Sequence, residues 1–287
     1  MRLWAYLLVL SGLWGASFPL VRFAVQTMPP LALSSARAGT AAVALGLFLC
    51  LTRQVVRADG AMLRHMLVLG TINGWLPNML LAMALGRVTS AQAALIGACG
   101  PLMVAVLAAS VLQENTMTPR RVAGTLLGFG GVAAIMAPLA IAGGGSIWGG
   151  LLMLGTALCY ACGTVYARLT RPGSSAGLVL GQQVFAFLPA LALALIVHPA
   201  ASFMQPAPVW AVTAVLGVFA SAVPMVLFLR MLQTTQAADA ALVGYLQPVW
   251  ATAIAAWLLA EWPEPRVLAG GVVVLAGVWL ASDRRTA

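Results

Sequence analysis

One nine-residue pattern recurs in this chain with five identical positions, first as Ala93-Ala94-Leu95-Ile96-Gly97-Ala98-Cys99-Gly100-Pro101 and again, 147 residues later, as Ala240-Ala241-Leu242-Val243-Gly244-Tyr245-Leu246-Gln247-Pro248. The same offset places Pro77 on Pro224 and Glu114 on Glu261, and 12 of the 34 positions from 68 to 101 are identical. Apolar chains give scattered Leu and Ala matches by chance, but not matched prolines and a matched glutamate in one register. The sequence therefore contains an internal duplication.

The composition excludes a water-soluble protein. Apolar residues make up 62% of the 287 residues, charged residues only 7%, and the mean hydropathy is +0.99, whereas soluble domains carry about 25% charged residues. A membrane-spanning helix needs about 20 apolar residues, and we predict ten such helices in an all-α integral membrane protein. The apolar runs are 3–25, 31–52, 66–86, 90–112, 122–142, 147–169, 177–198, 209–232, 239–260 and 267–282. The longest connections between them are Arg53–His65 and Pro199–Pro208.

The arginines predict the orientation of the chain in the membrane. If the N-terminus is cytoplasmic, the cytoplasmic segments carry 11 arginines and the opposite connections carry only Arg87 and Arg266. Positive residues concentrate on the cytoplasmic side of membrane proteins. We therefore expect both termini in the cytoplasm, and the net charge of +9 then reflects topology and indicates no nucleic-acid partner.

The duplication divides the chain into two repeats of five spans each, 1–142 and 147–287. Because five is odd, the second repeat must enter the membrane from the opposite side. At an offset of 146, Trp14 also matches Tyr160 and Arg22 matches Arg168. Inverted repeats are typical of transporters, because two mirrored halves can exchange conformations and open one site to alternate sides. The sequence therefore predicts a carrier that works by alternating access.

Four motifs indicate a family. They are Leu13-Trp14-Gly15-Ala16-Ser17-Phe18, Arg37 early in the second span, the stretch from Ala93 to Pro101, and an end-of-repeat pattern of Glu114 with Gly124, Gly128 and Gly131 that recurs as Glu261 with Gly270, Gly271 and Gly277. In their order and duplication, these motifs resemble the EamA-type ten-helix members of the drug/metabolite transporter superfamily. The resemblance implies a multi-pass carrier of the bacterial inner (plasma) membrane that exports amino acids or other metabolites. In overall length and compactness, the chain looks most similar to the YddG-like aromatic amino-acid exporters.

Candidate substrate-binding residues lie where prolines interrupt the spans. Proline removes a helical hydrogen bond, and in lipid the freed carbonyl must face protein or a water-filled cavity. We therefore expect the four matched prolines to bend their helices around a central cavity, although plain helix shaping is the alternative. The predicted site comprises Trp14, Ser17, Asn73, Trp75, Pro77, Asn78, Gly97, Pro101, Tyr160, Pro224, Tyr245, Gln247, Pro248 and Trp250. For Asn73 and Asn78, an interhelical hydrogen bond is the competing interpretation.

The charged residues leave two questions open. Arg37 lies about six residues into its span, where it can either receive a substrate carboxylate or snorkel to the outer interface. All six acidic residues fall in loops or at span ends, whereas proton-coupled carriers usually relay protons through intramembrane carboxylates or histidines. We expect transport down the substrate gradient, or proton coupling through a boundary residue such as Asp239.

The leading interpretation is an exporter of small metabolites, and the apolar cavity with few charges favours neutral amino acids, aromatic ones included. The alternatives are an exporter of a different small metabolite or drug, a channel, and a membrane-embedded enzyme. An enzyme is disfavoured because no nucleophile–base pair, metal-ligand cluster or carboxylate pair is visible. We expect no cofactor, and the partners to be the substrate and the lipid bilayer. A monomer is sufficient, since ten helices can enclose a pathway, and the sequence does not exclude an oligomer.

Overall fold

The computed structural model describes residues 3–56, 59–112, 118–141, 144–172, 176–240 and 243–281. The described residues are helical with short turns, and no strand occurs among them. The helices are α1 Leu3–Ala24, α2 Pro30–Leu51, α3 Gly60–Gly70, α4 Leu76–Leu85, α5 Ser90–Gly97, α6 Gly100–Val111, α7 Pro119–Ile141, α8 Gly144–Thr170, α9 Ala176–Val197, α10 Ala207–Gly217, α11 Val223–Thr234, α12 Ala237–Ala240, α13 Val243–Leu259 and α14 Pro265–Ala281. Two π-helical segments connect α3 to α4 (Thr71–Trp75) and α10 to α11 (Val218–Ala222), and a 3-10 turn covers Ala200–Phe203.

Several of these helices have the length and hydropathy of membrane spans. Seven helical stretches qualify within the described residues: Ala5–Ala24, Pro30–Leu51, Gly60–Leu85, Ser90–Val111, Ile147–Thr170, Ala176–Val197 and Ala207–Thr234. Three shorter apolar helices are Val122–Ile135, Leu246–Leu259 and Pro265–Gly277. The prediction of an all-helical protein with membrane-length apolar helices is confirmed.

The connection predicted at 53–65 is shorter than hydropathy suggested, because α3 begins at Gly60. Asp59 caps this helix, and its side chain accepts a hydrogen bond of 2.8 Å from the backbone N–H of Met62. A carboxylate at this position satisfies one of the N–H groups that have no partner in the first helical turn. Hydropathy alone misses this start, because the first turn of α3 is exposed and weakly apolar.

The two π-helical segments lie 147 residues apart, which is the offset of the sequence duplication. In each, an N–H bonds five residues back, from Leu76 to the Thr71 carbonyl and from Val223 to the Val218 carbonyl. A proline follows each segment, Pro77 in one half and Pro224 in the other. A proline ring clashes with the carbonyl four residues earlier and cannot donate to it, and a wider turn relieves that clash. The paired prolines thus shape their helices in the same way.

The most extensive helix contacts join one half of the chain to the other: α7 with α14, α2 with α9, α1 with α13, and α4 with α8. Glycines allow the closest approach. A Cβ added at Gly277 would lie 2.6 Å from the carbonyl oxygen of Gly124 and 2.7 Å from the Cα of Gly128. Small residues at such crossings let helix backbones pack directly against each other in a membrane. A space between the two halves is therefore bounded by helices from both.

A polar network joins four helix ends at one side of the bundle. Arg22 and Glu261 form a salt bridge of 3.0 Å, and the second carboxylate oxygen of Glu261 accepts the backbone N–H of Ser90 at 3.0 Å. Arg22 also donates to the carbonyl of Leu85. The equivalent arginine of the second half, Arg168, donates to the carbonyl of Leu232, which lies 147 residues after Leu85.

Replacing Glu261 with glutamine is expected to lower the melting temperature of the purified protein by about 2–4 °C. The amide keeps an acceptor for Ser90 but loses the charge that holds Arg22, a loss of about 1 kcal/mol for a pair that is partly exposed. Thermal unfolding in detergent, followed by tryptophan fluorescence, measures the change. In the double-mutant cycle with Arg22→Gln, the two losses should overlap.

The matched control is Glu264→Gln, which breaks the Arg266–Glu264 pair, where the side chains are 65% and 55% exposed against 27% and 19% for Arg22 and Glu261. We expect no measurable change, because water and salt screen an exposed pair. Equal melting temperatures for the wild type and Glu261→Gln, or strictly additive losses in the cycle, would contradict the stabilising role of the network.

Candidate functional site

A cavity of about 150 Å³ lies between the two halves of the chain. Residues of α1, α2, α4, α5, α6, α8, α9, α11, α12 and α13 and of both π-helical segments line it, whereas α7 and α14 contribute none of the lining residues. These two helices pack on each other at the edge of the bundle. The site is therefore lined by helices of both halves, and α7 and α14 lie outside it.

Eight of the predicted site residues line this cavity: Trp14, Ser17, Asn73, Asn78, Gly97, Pro101, Tyr160 and Gln247. Five others do not belong to its lining: Trp75, Pro77, Pro224, Pro248 and Trp250. The side chain of Tyr245 lies outside the part of the chain that the structure describes. Of the four matched prolines, only Pro101 reaches the cavity wall, and the other three act on the helix backbone.

Trp250 is the clearest exception to the predicted site. Its side chain is 42% exposed and packs across the glycines of α1, where a Cβ added at Gly15 would lie 2.6 Å from the Cβ of Trp250. Gln247, three residues earlier on the same helix, does line the cavity. Residues three apart on a helix differ in direction by about 60°. Gln247 therefore faces the cavity while Trp250 does not.

Arg37 lies in the cavity wall, although the sequence left its position open. Its side chain is only 5% exposed, which excludes snorkelling to a membrane surface. Its Nε donates to the hydroxyl of Ser221 at 2.7 Å and its Nη2 donates to the carbonyl of Ala220 at 2.8 Å. No carboxylate among the described residues forms a salt bridge with it. The cavity therefore contains a buried positive charge with neutral partners.

The carbonyl of Ala220 brings the side chains of Arg37 and Trp14 together. Pro224 has no N–H with which to bond this carbonyl four residues earlier, so the oxygen must find another donor in an apolar surrounding. It accepts from Arg37 and also from the indole N–H of Trp14 at 3.1 Å. The proline thus fixes two side chains of the site indirectly. The sequence thus indicates that the Ala220 carbonyl, four residues before a membrane proline, needs another donor, but it does not identify that donor as Arg37.

The amide side chains of the site are only partly paired. Asn78 accepts a hydrogen bond of 3.2 Å from the hydroxyl of Tyr160, so for this residue the interhelical hydrogen bond is observed. The Oδ1 of Asn73 and the Oε1 of Gln183 are buried without a donor, although both residues line the cavity. Buried polar atoms normally have a partner. These two oxygens are covered by neighbouring atoms, so a molecule in the cavity can bond them only after a side-chain rotation.

Aromatic and thioether side chains supply the apolar part of the wall. Trp14 and Phe228 contact each other edge to face, with ring centroids 5.3 Å apart. Phe18, Met153 and Met225 add further apolar surface. Sequence reasoning missed Phe18, Gln183, Ser221 and Phe228 as lining residues, and of these only Phe18 belongs to a quoted motif. The wall combines flat rings, flexible thioethers and a few polar groups, as is common for small-molecule sites.

Asn73 occupies space that a glycine leaves free. A Cβ added at Gly163 would lie 2.7 Å from the Nδ2 of Asn73 and closer still to the rest of its amide group. Gly163→Ala is therefore expected to displace this amide and to reduce transport at least about tenfold, with a stability loss of about 1–3 kcal/mol. Uptake into proteoliposomes and melting temperature measure the two effects separately.

The control on the same helix is Gly155→Ala, where the added methyl would meet only the Leu80 side chain at an ordinary 3.5 Å. Combining Gly163→Ala with Asn73→Ala should restore stability but not transport, because the overlap disappears together with the amide. Full transport by Gly163→Ala would contradict a role for Asn73 in the site.

Comparison with known proteins places this arrangement in a family. The family model described as the EamA-like transporter family matches the chain twice, over residues 2–137 and 147–283. A curated relative, an uncharacterized transporter of Archaeoglobus fulgidus, is 25% identical over 138 residues, which are 48% of this chain and 49% of the relative. The match thus spans about half the length of that relative.

A solved crystal structure shows the same fold. It superimposes with a TM-score of 0.72 at 18% sequence identity, and the alignment covers 97% of this chain and 96% of that one. At this identity the likeness concerns the fold alone. The two family matches cover most of the sequence, and the chain therefore belongs to the EamA-like transporter family.

Proposed function

We propose that this protein exports neutral amino acids, aromatic ones included, across a bacterial inner membrane by alternating access. The observation that carries the proposal is the cavity between the two halves, which places a buried guanidinium and unpaired amide oxygens beside aromatic side chains. A molecule with a charged head and an apolar body complements such a wall. The transporter family supports the general function. The similarity to YddG-like exporters favours the aromatic class.

The proposed topology has ten spans, two inverted halves (1–142 and 147–287) and both termini in the cytoplasm. The uneven distribution of arginines supports the orientation. The equivalent π-helical segments and the separate family match in each half support two repeats of one design. Inverted halves explain how a single cavity can open to either side. Labelling of single cysteines from the two sides of the membrane tests the orientation, and a cytoplasmic junction near Gly144 would contradict it.

An exporter of a different small metabolite or drug is the alternative within the same class. The decisive experiment is counterflow into proteoliposomes that are preloaded with unlabelled phenylalanine, leucine or another candidate, with protein-free liposomes as the control. We expect labelled phenylalanine to accumulate transiently. If other metabolites are exchanged and no amino acid is, the proposed substrate class is wrong. Chemical conversion of the labelled compound would indicate an enzyme.

The cavity also bears on the energetics of transport. None of its described lining residues is acidic or a histidine, so the described part of the wall contains none of the groups that usually relay protons. We propose that flux follows the substrate gradient, with Asp239, whose side chain lies outside the described residues, as the alternative coupling group. Flux that occurs only with an imposed pH gradient would overturn the uncoupled proposal.

A further inference from the structure

Arg37 carries a charge that no carboxylate among the described residues balances. Among the described acidic side chains, Asp59 caps α3, Glu261 pairs with Arg22, and Glu264 pairs with Arg266. Arg37 instead has two neutral acceptors and is 5% exposed. Burying an unpaired ion costs several kcal/mol even after relaxation. An anion in the cavity would offset part of that cost.

The guanidinium is positioned to bind such an anion. Its hydrogen bonds to Ser221 and Ala220 use Nε and Nη2, which leaves Nη1 for a ligand in the cavity that the residue lines. The bonds also hold the planar group in place, so little side-chain entropy is lost when a ligand binds. Arginine is suited to carboxylates because its fixed fork matches their geometry.

The second half of the chain offers different chemistry at the equivalent position. Helices α2 and α9 begin and end 146 residues apart, and at this offset Arg37 corresponds to Gln183. Gln183 is 2% exposed, lines the cavity and has an unpaired Oε1. Asn73, which corresponds to Ala220 at the offset of 147, contributes a second unpaired amide oxygen. Arg37 and Asn73 thus come from the first half and Gln183 from the second, so both halves contribute polar groups to the cavity.

We propose that the cavity distinguishes the two polar groups of a zwitterionic substrate. Arg37 binds the carboxylate, and the unpaired amide oxygens of Gln183 and Asn73 rotate toward the cavity to accept hydrogen bonds from the ammonium group. This inference rests on the proposed function as a small-molecule carrier and adds to it the groups that a substrate must carry. The apolar side chain of the substrate then contacts Trp14 and Phe228. Amines without a carboxylate and acids without an ammonium group each leave one set of partners unpaired.

The test is counterflow by the wild-type protein with four related compounds: L-phenylalanine, L-phenylalaninamide, phenethylamine and 3-phenylpropionate. We expect exchange of phenylalanine to exceed that of each other compound at least about tenfold, because each leaves a buried group unpaired. Equal exchange of the acid and its amide would overturn the role of Arg37. Equal exchange of phenylalanine and 3-phenylpropionate would overturn the role of the amide oxygens.

Variants of Arg37 test whether this residue causes the preference for the acid over its amide. Arg37→Gln should abolish the preference for the acid over its amide, and Arg37→Lys should retain part of it, because lysine keeps the charge without the fork. Arg87→Gln, which removes an exposed arginine outside the cavity, should leave the preference unchanged. A preference that survives in Arg37→Gln would overturn the proposal. The wild-type series decides the question even if Arg37→Gln fails to fold.

The same experiment separates this inference from the proposed function. If phenylalanine is not exchanged but another carboxylic acid is, in a manner that depends on Arg37, the amino-acid assignment fails and the carboxylate-binding role of Arg37 stands. If phenylalanine is exchanged as fast as its amide, the exporter assignment stands and the role of Arg37 fails.

Discussion

Replacing Gly277 with alanine is expected to abolish the recovery of folded protein from membranes. The added methyl carbon would lie within 2.7 Å of the Gly124 carbonyl oxygen and the Gly128 Cα, and closer still to the Gly128 nitrogen, all of which are backbone atoms of α7. A backbone cannot move aside as a side chain does, so α7 and α14 must separate along their whole contact. Overpacking typically costs about 1–3 kcal/mol, and more where the structure cannot relax. Yield and monodispersity in size-exclusion chromatography, with the melting temperature, measure the effect.

The matched control is Gly130→Ala on α7, where an added Cβ would meet no atom within 4 Å. This variant should be recovered as the wild type is, since it adds a methyl group to the same helix without contact. A monodisperse Gly277→Ala protein with wild-type melting temperature would show that the two helices do not pack as closely as described.

The second large effect is expected for Trp14→Ala, which should lower transport at least about tenfold while membrane insertion remains intact. The indole forms part of the cavity wall, contacts Phe228 and donates to the Ala220 carbonyl. Its removal both widens the cavity and takes one of two donors from a carbonyl that Pro224 cannot satisfy. Initial rates in proteoliposomes, normalised to the protein reconstituted, provide the measurement.

Trp14→Phe separates the two contributions of the indole, because it keeps a flat ring and removes only the N–H group. We expect an intermediate rate, and a lower melting temperature if the Ala220 carbonyl loses stabilisation. Unchanged flux in Trp14→Ala would place the substrate elsewhere in the protein. Reduced transport is also predicted from the sequence for Tyr245→Ala, and it stays a prediction because that side chain lies outside the described residues.

Hydropathy was sufficient to predict an all-helical protein with membrane-length apolar helices, because it depends on local composition. The residues that line the cavity could not be predicted in this way, because they depend on tertiary contacts. The partners of Arg37, Ser221 and Ala220, lie in the second half of the chain, more than 180 residues away. No local sequence pattern indicates contacts at such a separation. Gln247 and Trp250 share a helix and were equally plausible, but the packing of α13 on Gly15 separates them. Tertiary contacts thus decided the site where the sequence offered only candidates.

The two π-helical segments have a further consequence for how these spans can change. In each span that contains such a segment, three cavity-lining residues are separated by five positions and then by three. They are Asn73, Asn78 and Leu81 in one span and Ala220, Met225 and Phe228 in the other. Deleting one residue from either segment would rotate everything beyond it by about 100°. Asn78 and Leu81, or Met225 and Phe228, would then point away from the cavity although the hydropathy of the span had hardly changed. The number of residues in each π-helical segment, and not only their type, therefore determines which side chains face the cavity.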